Sequence, residues 1–239
     1  MINHLLHPFV LLAGEPRPAP TRMRVFAEDE LDAALPPLVA RSLRAGVAAL
    51  RDCGFTLSCY AGITSTQALT TAAALLERDD GAAISFVYAG VGTTTQITVM
   101  TAFQTKLSDG TELATANSTS TARTPSRPHV VGVAFPDVTD LAALWAIHAF
   151  RIKDAAPTMP QRMSRGSDPV GYQMAEDEEV QDYWIKKGYY SRGSDARLVM
   201  TFTGACRAAW RGLWPWKQIS ARTQARNAAA VHRRMRSPG

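Results

Sequence analysis

The sequence predicts an α+β fold, an antiparallel sheet of five or six strands backed by two helices, with a small C-terminal helix–hairpin–helix appendage. Three observations lead there. Amphipathic helical stripes at 38–53 and 141–152 bracket a run of short strands. Turn signals at Asp79-Asp80-Gly81 and Ser108-Asp109-Gly110 join neighbouring strands as hairpins. A Pro- and Gly-rich stretch then separates this body from a second, shorter set of elements. Strands joined by short hairpins run antiparallel, and helices at the two ends of such a run cover one face of the sheet.

Each element has its own cause. Residues 14–24 are rich in Pro and Arg, and 1–24 reads as an irregular lead-in. Pro36-Pro37 halts what precedes and suits a first helical turn. Val39, Leu43, Val47 and Leu50 then recur at helical spacing, and Gly54 stands at the C-cap position. Phe55 to Tyr60 is a strand. The stretch 71–78 pairs with 82–90 as a hairpin across the Asp-Asp-Gly turn, although Ala72 to Leu76 favours helix by propensity. On Thr95 to Leu107 the odd positions form the more apolar face. A three-residue loop with Gly110 in the left-handed position places Thr105 opposite Leu113 and Phe103 opposite Thr115. Residues 118–128 form a loop and Val130 to Phe135 a strand. Asp137 to Asp140 offers N-cap chemistry to a helix with Leu141, Leu144, Trp145, His148 and Ile152 on one stripe. The body is thus 25–154.

Residues 155–176 read as a linker, because Pro157, Pro160, Gly166, Pro169 and Gly171 interrupt any periodicity. The appendage is 177–217. It holds a short helix ending at Gly188, a hairpin turning at Arg192 to Asp195, and a helix from Gly204 to Leu213, capped by Thr203 and stopped by Pro215. Residues 218–239 form a basic tail, in which 218–236 can be helical but shows no convincing apolar face.

Composition limits function. The chain has 239 residues, 46% hydrophobic and 20% charged, which excludes a fibrous or wholly disordered protein. No run of 18 apolar residues is present, which excludes a spanning helix. Cys53, Cys59 and Cys206 are sparse, odd in number and outside any C-x-x-C pair, so neither a disulfide framework nor a metal site is expected. The apolar run of Met1 to Ala13 lacks a preceding Lys or Arg and contains Pro8, unlike a secretory leader. A cytoplasmic protein, at most peripheral to the inner face of the membrane, is the expectation. The net charge of +5 conceals an asymmetry: residues 196–239 carry nine basic and no acidic residues, and the remainder is net acidic. That layout points to an anionic partner for the C-terminal end.

Trp210, Trp214 and Trp216 lie within seven residues, flanked by Arg207, Arg211, Lys217 and Arg222. At helical spacing, Trp210 and Trp214 suit docking on the body. Alternatively, the cluster is a contact surface for a protein partner or an anionic membrane, because indoles favour the headgroup zone and each cation adds attraction. Nucleic acid is the less favoured partner, since no regular aromatic–basic alternation on strands is present. His148 occupies the buried stripe of its helix, where Thr101, Thr105 or Thr115 can bond it. With Asn117, an amide on the buried face of its strand, and Thr101 it alternatively lines a small polar pocket suited to a general base. Gly90 and Gly92 lack the rest of either phosphate-loop pattern, so no cofactor is expected.

Phe103, Asp109-Gly110, Leu113, Thr115, Asn117, Phe135-Pro136, Leu141, Leu144 and His148 follow a pattern that resembles a family of uncharacterised bacterial proteins. The stretch Gly188-Tyr189-Tyr190, Thr203-Gly204-Ala205 and Trp210 to Lys217 resembles the tail found with it. The resemblance spans about half of the chain and implies one composite unit, with no activity attached. Lys187-Gly188-Tyr189, Arg192 to Asp195 and Thr201 to Gly204 also resemble the C-terminal half of winged-helix DNA-binding domains. Such domains need a helix-turn-helix ahead of the wing, and 155–176 departs from that pattern. The sequence therefore predicts a non-enzymatic binding or scaffold module, with a winged-helix-like nucleic-acid-binding regulator or an enzyme around His148 as alternatives.

Overall fold

The computed structural model describes residues 23–63, 71–78, 80, 83–91, 97–118, 125–155, 169–193, 198–213 and 215–237. The protein is mixed α+β and falls into two units. Among the described residues, the larger unit holds 23–118, 128–155, 169–171 and 226–237, and the smaller holds 125–127 and 172–225.

In the larger unit, seven strands form one sheet in chain order. They are β1 (Met23–Phe26), β2 (Phe55–Ile63), β3 (Thr71–Arg78), β4 (Ile84–Val91), β5 (Ile97–Lys106), β6 (Glu112–Ala116) and β7 (Val130–Ala134). Five or six antiparallel strands was therefore an incomplete expectation. The first additional strand, β1, begins inside the predicted lead-in and pairs Met23–Phe26 antiparallel with Ile63–Tyr60. The other departure is orientation: β7 runs parallel to β6. The connection after β6 is too long to be a hairpin, so the chain returns before pairing.

The β5–β6 hairpin has the predicted register, Thr105 opposite Leu113 and Phe103 opposite Thr115. Gly110 adopts φ +83° in its loop, where Asp109 Oδ1 accepts from the Thr111 amide at 2.8 Å. Strand β3 is buried along Ala72 to Leu76 without alternation, so it is covered on both faces. That explains a sequence with no period-2 pattern.

The short helix α1 (Leu31–Ala34) precedes α2 (Pro37–Arg51), which starts on Pro37 and buries Val39, Leu43, Val47 and Leu50. Gly46 permits the approach of α2 to β4: a Cβ there would lie 2.7 Å from Val87 Cγ1. Helix α3 (Leu141–Asp154) is capped by Asp140, whose side chain accepts from the Ala142 amide. Its Leu144 and Ile147 join the same core as Phe55, Phe103 and Phe135. Trp145 packs edge-on to Phe55, with ring centroids 5.0 Å apart.

In the smaller unit, which takes this helix from residue 172 onward, α4 (Pro169–Lys186) is longer than predicted, since 169–176 is helical and not linker. Residues 156–168, the rest of that linker, lie outside the described set. Gly188 (φ +73°) ends α4: the Gly188 amide bonds Ile185 O and the Tyr189 amide bonds Trp184 O, a Schellman arrangement. Strands β8 (Tyr190–Arg192) and β9 (Leu198–Met200) pair antiparallel. Helix α5 (Phe202–Gly212) begins two residues before the predicted start, because Thr201 and not Thr203 is its cap. The predicted basic tail is largely helix α6 (Trp216–Arg236). The division between units falls inside it, and on the larger unit's side Val231 and Ala228 pack into the sheet–helix core. Arg234 bonds Asp154, and His232 packs edge-on to Phe135.

Candidate functional site

Two groups of side chains bear on function, one in each unit. In the larger unit, His148 is fully buried and both ring nitrogens are engaged: Nε2 lies 3.0 Å from Thr105 Oγ1 and Nδ1 lies 2.8 Å from Thr115 Oγ1. Arg151, one turn further along α3, donates from Nη1 to Thr115 Oγ1 at 2.6 Å. It also donates to Ala114 O at 2.5 Å and from Nη2 to Val131 O at 2.7 Å. A guanidinium only donates, so the Thr115 hydroxyl accepts from it and turns its own hydrogen toward His148 Nδ1. The imidazole is then neutral, with its proton on Nε2 facing Thr105. Burial, reinforced by the Arg151 charge, pulls the His148 pKa down from 6.5 to about 3. Burial also lowers that of Arg151 to about 10, with Arg234 contributing.

Of the residues grouped with His148 in the sequence, Thr101 and Asn117 bond each other instead: Asn117 Oδ1 accepts from the Thr101 amide at 2.7 Å. That contact extends the β5–β6 pairing by one residue. It closes the end of that strand pair, and the threonines that hold His148 are Thr105 and Thr115.

In the smaller unit, α4 and α5 border a cleft of about 670 Å³. Tyr183 and Lys187 come from the end of α4, Tyr189 from the segment after it, and Cys206, Arg207, Trp210 and Arg211 from α5. Positions 206, 207, 210 and 211 share one helical face because pairs four apart stack. Pro125 forms the remaining wall, held by a hydrogen bond from Trp184 Nε1 to its carbonyl at 3.1 Å. Beside it, the buried Arg127 bonds Glu176 and Glu179 of α4.

Among the described residues, no carboxylate pairs with the cations of the cleft. Arg207 Nη1 donates to Lys187 O at 2.7 Å, and its Cζ lies 5.9 Å from the Tyr189 ring centre. Arg211 Cζ lies 5.8 Å from the same centre. Lys187 Nζ lies 5.6 Å from the Tyr183 ring. Tyr189 is only 4% exposed, so its ring is a fixed plate beside the two guanidinium groups. Its position depends on Gly204, where a Cβ would fall 2.1 Å from Tyr189 O. The Thr201 hydroxyl ties the same corner, donating to Gly188 O at 2.6 Å and accepting from the Gly204 amide at 2.9 Å.

The structure brings Arg207, Trp210 and Arg211 together in this cleft. Trp216 stands beside them, its ring centre 6.3 Å from that of Trp210. Lys217 and Arg222 are exposed on α6 and do not line the cleft. Trp214 lies outside the described residues. Sequence reasoning missed Tyr183, Lys187 and Tyr189. Their only sequence signal is the Lys187-Gly188-Tyr189 helix ending, which was legible as a cap and not as a wall. Among the described residues, no cluster of metal-ligating side chains is present, and no helix is long and apolar enough to cross a membrane. Comparison of the chain with family models, curated proteins and solved structures gives no match.

Proposed function

We propose that the protein is a non-enzymatic binding module whose basic, tryptophan-bearing C-terminal segment attaches it to an anionic membrane surface. One observation carries this reading. Trp210 and Trp216 are 59% and 42% exposed, side by side, among Arg207, Arg211, Lys217 and Arg222. Exposed neighbouring indoles are costly in water and suit the headgroup zone, where they bury apolar area while cations meet the lipid phosphates. Phe202 and Ile219 add exposed apolar surface on the same two helices.

The test is co-sedimentation of the full chain with vesicles of phosphatidylglycerol and phosphatidylcholine, against phosphatidylcholine alone. Each cation near an anionic leaflet contributes about 1 kcal/mol. Replacing Arg207, Arg211, Lys217 and Arg222 by Gln therefore lowers the partition constant by about a thousandfold at low salt. Failure of the wild-type chain to pellet at low salt refutes the proposal. Tight binding to DNA that weakens steeply with salt would favour the nucleic-acid alternative instead. For an enzyme around His148, the engaged ring nitrogens offer no support.

A further inference from the structure

We infer that the cleft between α4 and α5 is a specific site for phosphate monoesters carrying an aromatic or apolar body. The first support is charge. Lys187, Arg207 and Arg211 line a cleft whose lining, among the described residues, includes no carboxylate. The arginines Arg44, Arg78, Arg127, Arg192 and Arg234 all face an acidic side chain. Arg207 and Arg211 instead flank one tyrosine ring, and Arg207 is anchored by a backbone carbonyl. Arg207 and Arg211 stand four apart on α5 as like charges on one helical face, and a dianion bound by both removes their repulsion. Among the described residues, one Arg207 N–H is engaged, by Lys187 O, and Arg211 presents a second planar fork. That donor set matches the oxygens of a phosphate.

Size and lining supply the second support. A cavity of about 670 Å³ is far larger than inorganic phosphate fills and lies within the range of small-molecule sites. Tyr183, Tyr189 and Trp210 provide aromatic walls for the remainder of the ligand. The backbone under the site is fixed by the Schellman ending at Gly188 and by the Thr201 cap, so the frame that carries the cations is in place before a ligand arrives. A lipid headgroup and a soluble phosphate ester share this chemistry. As a headgroup pocket the site deepens and rests on the membrane reading above. As a pocket for phosphate esters it is tested separately.

The experiment is calorimetric titration of the full chain with phenyl phosphate and with inorganic phosphate. Phenyl phosphate is expected to bind saturably at one site, at least tenfold more tightly than inorganic phosphate. Arg211→Gln weakens it at least tenfold, while Lys217→Gln with Arg222→Gln leaves it unchanged. Arg211 is exposed, so its replacement leaves the fold in place, with circular dichroism as the check. Displacement of phenyl phosphate by vesicles containing phosphatidic acid makes a lipid the source. Saturable binding without such displacement makes the source a soluble ester. Vesicle binding with no saturable phenyl phosphate binding overturns the site and leaves the membrane reading standing. Phenyl phosphate binding unaffected by Arg211→Gln overturns its placement.

Discussion

Acid should destabilise the larger unit through one residue, His148. Its pKa falls from 6.5 to about 3 on folding, chiefly because the charged ring would be buried and secondarily because Arg151 stands beside it. A group whose folded pKa is depressed binds more protons when unfolded. For this histidine, stability is therefore complete above pH 6.5 and is lost as the pH falls from there toward 3. Between pH 7.5 and 5.0 the unfolded chain takes up almost a full proton and the native chain takes up almost none. The loss is about 2 kcal/mol, with a limiting slope of about 1.4 kcal/mol per pH unit. Urea unfolding at both pH values measures it, with His148→Gln as reference, since the other titrating groups are common to both chains. The variant should lose about 2 kcal/mol less than the wild type over that interval. Nitrogen NMR of the native ring gives a second measurement, expected to report a neutral ring protonated on Nε2 throughout. A ring that titrates near pH 6.5 in the folded protein, or a wild type with the same pH dependence as the variant, refutes the Arg151–Thr115–His148–Thr105 chain of donors.

Three further outcomes follow from local geometry. Gly204→Ala forces a Cβ into the Tyr189 carbonyl and should destabilise the smaller unit by about 3 kcal/mol, seen as earlier proteolysis within 172–225 with the sheet still protected. Asp140→Ala removes the α3 cap and should cost about 1 kcal/mol in urea unfolding. Arg151→Met leaves the Ala114 and Val131 carbonyls without their donor and should cost about 3 kcal/mol, with faster amide exchange where β6 meets β7.

What could be read in advance was what is local. The α2 stripe of Val39, Leu43, Val47 and Leu50 depends only on helical spacing, and those four side chains are buried. The Phe103–Thr115 register follows from one loop and one period-2 face, and the strands adopt it. Strand β3 was harder, because Ala72 to Leu76 is buried on both faces and so shows no alternation. The parallel β6–β7 pairing was not legible, since no local signal records how a long connection returns. The role of α6 was hidden for a different reason. Its apolar contribution to the core is chiefly Val231 with Ala228, too sparse to register as a face among so many arginines. The aromatic and basic side chains of α5 were found by their crowding, whereas Tyr183, Lys187 and Tyr189 reach the cleft only through the turn after α4.

That turn ties stability to binding in the smaller unit. Tyr189 is held from beneath by Gly204, which lacks the Cβ that would strike its carbonyl, and through the Thr201 amide, which donates to that carbonyl at 3.0 Å. Its ring centre in turn lies 5.9 Å from Arg207 Cζ and 5.8 Å from Arg211 Cζ. A cation can be removed at the rim without loosening this arrangement, because neither guanidinium supports the backbone below it except through the Lys187 carbonyl. A methyl group added at Gly204 acts in the opposite sense, moving the plate while every cation is retained. The two substitutions therefore separate charge from geometry. If the cleft recognises its ligand by a fixed pair of guanidinium groups, Gly204→Ala should weaken phenyl phosphate binding as much as Arg211→Gln while leaving the net charge unchanged. If attraction to the basic segment as a whole were sufficient, only the arginine replacement would register.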